Sequence, residues 1–464
     1  MIRRHVFDRL AEWLGSRDPR CLLLRGARQV GKTTAVRSIP SLASSDVRVM
    51  EVNLEEHPEL ERVFATNDAS RILEELSFTA GGSPSGGDVV FLDEIQAAPS
   101  AMGAMRYLRQ RRPDLRYLAA GSLLDMELGA GASSVPVGRM EYLFMGPLSF
   151  GEVLMADRTA SEELGLIRGW RPGASFPEAA HRRLLDLLRR FIITGGMPEA
   201  AERALESGDP TMAEQVRASI INTYRDDFAG YSGRSDLLML RRVYDWVAAH
   251  AGEKVAYSRI APDARAAVVR RAIETLEAAT VVFPAVHSAG NGVPLGAEAR
   301  PSVFKLYFLD VGLMSQMTGV ARIPLDRISD SRFVNEGRLA EQFIAQHLLF
   351  AGRPWERPAL HFWLREGRSS NAEVDFLTAC GERVVPVEVK AGSSGSMKSL
   401  MAFARERGTG LAVRFDTRPP SFGRARHLLG DGRGGSRPVE YDLLSLPLYM
   451  VGELRRLVEG LTCG

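Results

Sequence analysis

The sequence predicts an α/β protein of several domains, and three features carry that prediction. An apolar strand runs into a glycine-rich loop and a helix start at 21–36. A second apolar strand ends in paired acids at 88–96. The C-terminal third is rich in strands around "VDFLTACGERVVPVEVKAG" (374–392). At 464 residues the chain is too long for one ordinary core. Its 45% apolar and 25% charged content is that of a globular protein, and a net charge of +2 means that any nucleic-acid surface must be local. Cys21, Cys380 and Cys463 are too few and too scattered for a disulfide framework or a thiolate metal site, which fits a reducing compartment. "MIRRHVFDRLAEWLG" (1–15) has early charge and no uninterrupted apolar run, so it reads as an amphipathic helix and not as a signal peptide. No stretch is long enough to span a bilayer. A cytoplasmic protein without a membrane partner is expected.

In "CLLLRGARQVGKTTAV" (21–36), Gly26-Ala27-Arg28-Gln29-Val30-Gly31-Lys32-Thr33 fits G-x-x-x-x-G-K-[ST] at every position, with Thr34 following. Glycines let backbone N–H groups turn inward on phosphates. A lysine supplies a compact charge for the β- and γ-phosphates, and Thr33 offers a hydroxyl to Mg²⁺. ATP and Mg²⁺ are therefore the expected cofactors. "DVVFLDEIQ" (88–96) supplies the second half: Asp93 to hold Mg²⁺ through water and Glu94 to polarise the attacking water. Further candidate strands, "VRVMEVNLE" (47–55) and "LRYLAAGS" (115–122), alternate with helical stretches and imply a parallel sheet with its ligand at the carboxyl ends of the strands. Ser122 is then either a γ-phosphate sensor or a helix N-cap for "LLDMEL".

Taken in order, "RGARQVGKTT", "VVFLDEIQ", "AAGSLLD" and "VGRMEYLFMGPLSFGEVL" resemble a large prokaryotic group of AAA-like P-loop ATPases with a C-terminal domain of unknown function. "TGGMPEA" (194–200) and "KLYFLDVGL" (305–313) continue the match over nearly the whole chain. The group usually has proline where Ala27 stands, a position without a side-chain role. The resemblance implies ATP hydrolysis, assembly of like subunits into rings, and a sensor or arginine-finger role for Arg139. With 54 arginines in the chain, a surface arginine is the plain alternative for Arg139.

Residues 156–235 read as a helical connector. "DLLMLRRVYDWVAAHAG" (236–252) and "PDARAAVVRRAIETLEAATVV" (262–282) are helical, and two apolar segments, "VVFPAV" and "VFKLYFLD", follow around a Gly/Pro loop. Helix, short helix, helix and ribbon is the order of a winged helix. Such a unit lays its second long helix, with Arg265, Arg270 and Arg271, in a DNA groove, or it serves as packing between two enzymes.

Only five of the 59 basic residues are lysines: Lys32, Lys254, Lys305, Lys390 and Lys398. Lys390 stands two residues after Glu388 on an apolar strand. If Gly381-Glu382 is a two-residue hairpin turn, Cys380 pairs with Arg383, Asp375 faces Glu388, and Glu373 faces Lys390. Two opposed carboxylates repel unless a divalent cation lies between them. Glu341 lies beside the apolar stripe Leu339, Phe343 and Ile344 and can reach that sheet. Glu341, Asp375, Glu388 and Lys390 resemble the PD-(D/E)xK nuclease pattern. That resemblance implies carboxylates holding Mg²⁺ and a lysine that orients or deprotonates water. An ordinary Glu373–Lys390 ion pair is the alternative. Residues 401–437 hold eight arginines against three acids, interleaved with Phe403, Phe415 and Phe422, which suits phosphate contact and stacking or a solvated face.

The expected division is an AAA-like P-loop ATPase domain at 1–155, a helical connector at 156–235, a winged-helix-like domain at 236–330 and a PD-(D/E)xK nuclease-like α/β domain at 331–464. The expected function is ATP hydrolysis coupled to a metal-dependent nuclease-like domain acting on DNA. The alternative is an ATP-dependent switch or assembly protein whose nuclease-like fold only binds nucleic acid or a protein.

Overall fold

In the computed structural model, residues 2–43, 46–122, 140–230, 234–322, 337–365, 371–390, 397–430 and 436–462 are described. They form two compact units. The first comprises Met1–Leu148, Ile273–Val281 and Gly352–Pro358, and the second Ser149–Ala272, Val282–Ala351 and Ala359–Gly464.

The first unit is built on β1 (Cys21–Arg25), β2 (Val49–Asn53), β3 (Val89–Asp93), β4 (Arg116–Gly121) and β5 (Met140–Phe144), parallel and in the order β2-β3-β4-β1-β5. Every side chain of β3 is buried, as its unbroken apolar run requires of a strand covered on both faces. The helices Leu60–Phe64, Ala69–Thr79 and Pro99–Arg111 cover one face, with Leu60, Phe64, Ile72, Leu76, Met105 and Leu108 in that core. The helix Val6–Gly15 is amphipathic as expected, burying Val6, Phe7, Leu10, Trp13 and Leu14. Because β4 lies between β1 and β3, the loops at their carboxyl ends converge.

The second unit begins with five helices between Phe150 and Asp227. A helix Arg234–His250, a short helix Tyr257–Ile260 and a helix Ala266–Ala278, whose residues from Ile273 on belong to the first unit, follow, then the antiparallel pair β6 (Val282–Ser288) and β7 (Ala299–Phe308). This is the order expected of a winged helix, but the ribbon does not stand alone. The free edge of β6 pairs in parallel with β8 (Leu360–Arg365), which satisfies its backbone groups. The resulting sheet has the order β12-β13-β11-β10-β9-β8-β6-β7, with β9 (Ala372–Cys380), β10 (Arg383–Val389), β11 (Leu411–Asp416), β12 (Ser421–Gly430) and β13 (Ser436–Pro447). With the helices Gly337–Phe350 and Lys398–Arg407, strands β8 to β11 run αβββαβ; β8, β9 and β10 are antiparallel neighbours and β11 is parallel to β10.

"TGGMPEA" and "FLDVGL" meet inside this unit. Asp310 caps the helix Val311–Met317 by accepting from Gly312 N (2.9 Å) and Leu313 N (3.0 Å), and its other oxygen accepts from Gly196 N (2.6 Å) and Gln346 Nε2 (3.1 Å). Gly195 sits at φ +80°, where a Cβ would lie 2.1 Å from Asp310 Oδ1. Among the described residues no helix is long and apolar enough to cross a membrane.

Candidate functional site

The loop Gly26–Thr33 leaves β1 and turns back into the helix Lys32–Arg37. Gln29 (φ +62°) and Gly31 (φ +91°) take left-handed backbone, the alternation that lets successive N–H groups point into one concavity. Gly26 has no room for a side chain, because a Cβ there would lie 2.1 Å from Met145 O. Lys32 is buried, its ammonium donating to Gly26 O (3.0 Å) and Ala27 O (2.8 Å); burial pushes it down to about 8, against the pull of Glu94 and Asp93. Thr33 Oγ1 donates to Asp93 Oδ2 at 2.6 Å, and Asp93 Oδ1 accepts from Glu94 N at 3.0 Å. Burial raises Asp93 above the usual carboxylate range. Glu94 itself has left-handed backbone (φ +49°), and Gln96 Nε2 donates to its Oε2 at 2.6 Å. Ser122 directly follows β4 with a buried hydroxyl that has no hydrogen-bond partner among the described residues. Arg28 pairs with Glu55, while Ala27 and Val30 are buried and Thr34 is exposed. Arg139 lies outside the described residues.

A second polar cluster lies in the second unit. The hairpin register is the expected one: Arg383 pairs with Cys380, and the ladder continues to Val387 opposite Phe376, with Gly381 at φ +61° in the turn. Asp375 and Glu388 come next in that register, and Asp375 Oδ2 accepts from Val389 N at 2.8 Å. The expected Glu373–Lys390 opposition is not what forms. Lys390 turns along its own strand to Glu388, and Glu373 pairs instead with Lys305 of β7 at 2.5 Å. Lys305 Nζ also lies 3.2 Å from Glu341 Oε1, which accepts from the Tyr307 hydroxyl as well. Against burial, which would lower it, Glu341, Asp375 and Glu373 hold the Lys305 ammonium above the usual lysine value. Burial and the charge of Asp375 push Glu388 up to about 8; its Oε2 is buried without a partner among the described residues.

The expected metal set is Glu341, Asp375 and Glu388. The three side chains are near enough to feel one another's charge, yet the described residues contain no group of three or more His, Cys, Asp or Glu arranged to hold a metal ion. A lysine contacts Glu341 and also Glu373, beside Asp375. Of the three phenylalanines expected to stack in 401–437, Phe403 and Phe415 are core, and Phe422 is partly exposed. Arg414 and Arg418 pair with Asp416, and Arg424 with Glu440 and Asp442.

Residues 18–154 match the family described as an AAA domain. Over this stretch the chain matches an AAA domain, and the glycine loop described above lies within the match. Two further matches, over 185–323 and 336–425, are to families described as domains of unknown function (DUF8612 and DUF4143). No curated protein matches the chain. Similar solved structures include the Aeropyrum pernix ORC1 protein in complex with DNA, 18% identical over 69% of this chain and 94% of that one with a TM-score of 0.29. The Aeropyrum pernix ORC2 protein in its ADPNP-ADP complexes is 13% identical over 69% and 94%, with a TM-score of 0.35. The Thermotoga maritima RuvB Holliday junction branch migration motor is 15% identical over 61% and 89%, with a TM-score of 0.29.

Two contributors to these sites were not singled out from the sequence. Arg4 braces the AAA domain's glycine loop from behind, donating to Val30 O (2.9 Å) and Gly146 O (2.8 Å). Nothing local in "MIRRHVF" marks it among so many arginines. Lys305 did carry a signal, a lysine inside the apolar run "VFKLYFLD" of an arginine-rich chain.

Proposed function

We propose that the protein is an ATP-binding and ATP-hydrolysing AAA switch whose second unit engages DNA without cutting it. The contact between Thr33 Oγ1 and Asp93 Oδ2, beside the buried Lys32, carries this reading, since these side chains are the ones that hold a Mg²⁺–nucleotide complex in a P-loop site. When bound, Mg²⁺ neutralises phosphate charge. Backbone N–H groups of Gly26–Thr33 cradle the phosphates. Lys32 gives up the carbonyls of Gly26 and Ala27 for phosphate oxygens, and Thr33 and Asp93 hold the metal. Glu94 orients the attacking water, and the Ser122 hydroxyl is available to the terminal phosphate. Lys32→Ala abolishes turnover and weakens nucleotide binding, whereas Glu94→Gln keeps binding and stops turnover; affinity and phosphate release measured on both variants test this. Normal hydrolysis by Glu94→Gln removes Glu94 from its role.

Engagement of DNA is supported by the exposed Arg265, Arg270 and Arg271, at and on the second long helix of a helix–helix–helix–ribbon unit. Replacing Arg270 and Arg271 by glutamate should weaken DNA binding. It should also make the log–log salt slope shallower by roughly one for each phosphate that is no longer neutralised. Assembly into rings of like subunits is read out by sedimentation with and without ATP.

Metal-dependent cutting is the second reading. The αβββαβ order with Asp375, Glu388 and Lys390 on neighbouring strands favours it. Incubation with Mn²⁺ and DNA separates the two: cleavage that disappears in Glu388→Ala establishes cutting, and intact DNA leaves the switch.

A further inference from the structure

We propose that Lys305 is a built-in substitute for a divalent cation, so that the Glu341–Asp375–Glu388 cluster is neutralised by the chain itself and takes up no metal while that lysine is present. The inference concerns the domain that the non-cutting reading describes. Its readout is cation binding and not cleavage: metal uptake by the parent chain without cleavage overturns the inference and leaves the non-cutting reading standing, whereas metal-dependent cleavage overturns both.

The geometry carries it. Lys305 is 1% exposed, on the edge strand β7, and its side chain extends over the sheet with the ammonium 5.4 Å from the centre of the Phe362 ring on β8. It contacts Glu341 from the helix Gly337–Phe350 and Glu373 from β9, and it is the strongest positive influence on Asp375. One ammonium therefore serves carboxylates from a helix and a strand, the combination of elements that would otherwise surround a metal. The surroundings hold it there. The Tyr307 hydroxyl fixes the same Glu341 oxygen that the lysine contacts. Gly252, at φ +81°, closes the other side, where even a Cβ would come within 2.8 Å of Glu341 Oε1. Lys390, just past β10, covers one oxygen of Glu388, and the backbone N–H of Val389 covers one of Asp375.

A divalent ion entering this cluster would bring its double charge against a buried ammonium, and repulsion between like charges in a poorly solvated site is costly. Removing the ammonium reverses the situation. Glu341, Glu373 and Asp375 would lose their main counter-charge, with Lys390 the more weakly felt cation that remains, and such a set either takes up protons or recruits a cation. Lysine suits the task because its four-carbon stem delivers a point charge with three donors, which a planar guanidinium does not reproduce.

The test uses the full chain without nucleotide, titrated with Mn²⁺ and followed by isothermal calorimetry and by melting temperature. To remove the contribution of the AAA site, every protein carries Asp93→Asn. The expected result is no Mn²⁺ binding and no melting shift with Lys305 present. Lys305→Met should show one Mn²⁺ bound and a rise in melting temperature of several degrees, both abolished on adding Asp375→Asn. Lys305→Arg should stay metal-free. If Lys305→Met folds only when Mn²⁺ is supplied, that also supports the proposal. A folded Lys305→Met that ignores Mn²⁺ overturns it. Should Lys305→Met not fold under any condition, a Mn²⁺ soak of crystals of the parent chain decides: anomalous density between Asp375 and Glu388 overturns the proposal, and its absence, with Lys305 on Glu341, upholds it.

Discussion

His347 shows how much a single ring can fix. Its Nδ1 donates to Phe343 O at 2.7 Å, which leaves Nε2 to accept from Phe150 N at 2.8 Å; the ring packs against Phe191 and Phe343. A protonated imidazole could not accept, and burial lowers the group to about 4. The unfolded chain binds this proton below its ordinary value of about 6.5, while the folded chain does not until about 4. Stability contributed by His347 is thus present above pH 6.5 and declines as the pH falls from 6.5 toward 4, at up to about 1.4 kcal/mol per pH unit. Denaturant unfolding of the parent chain and of His347→Gln between pH 7 and 5 checks this. The stability difference between them should narrow as the pH falls, and parallel profiles would mean that the ring is not held neutral. The residue types of the nucleotide site were legible, since the P-loop pattern is local and each type has one chemistry. What Glu94 adds is a left-handed backbone and a carboxylate held by Gln96, and no residue-type pattern encodes either.

At the scale of elements, Gly195 and Asp310 join two helix ends within the second unit. Gly195→Ala must shift both its own backbone and the Asp310 carboxylate, so we expect destabilisation of roughly 2–4 kcal/mol, measured by denaturant unfolding. Gly208→Ala, also at positive φ but with open space around it, should cost only about 1 kcal/mol. The β9–β10 hairpin was read from two turn residues, and its register held at each pair because a turn fixes everything that follows it. The partners of Glu373 and Lys390 were less legible. Glu373 meets Lys305 of β7, which is brought in by β6 pairing with β8, and nothing in the hairpin announces that strand; Lys390 turns to Glu388, two residues before it. The interleaved arginines and phenylalanines of 401–437 were similarly ambiguous, because alternation along a strand places a phenylalanine in the core as readily as on a surface.

At the scale of the molecule, the two candidate sites belong to different compact units, which sets their mutational independence. Glu388→Ala should leave ATP turnover within about twofold of the parent, since changes that share no partner add without coupling. Nucleotide at 100 times its dissociation constant should stabilise the unit that binds it by about 2.7 kcal/mol, a shift that Lys32→Ala should remove.

The scarcity of lysine has a practical consequence. Arginine does not react with acylating reagents that modify primary amines, so 54 of the 59 basic side chains are silent to them. The five that respond fall into a graded series. Lys254 and Lys398 are exposed, Lys390 is half-covered, and Lys32 and Lys305 are buried, one in each candidate site. Timed acetylation followed by peptide mass mapping should label them in that order. Bound ATP should protect Lys32 further without altering Lys305, giving a footprint of site occupancy that needs no substituted residue.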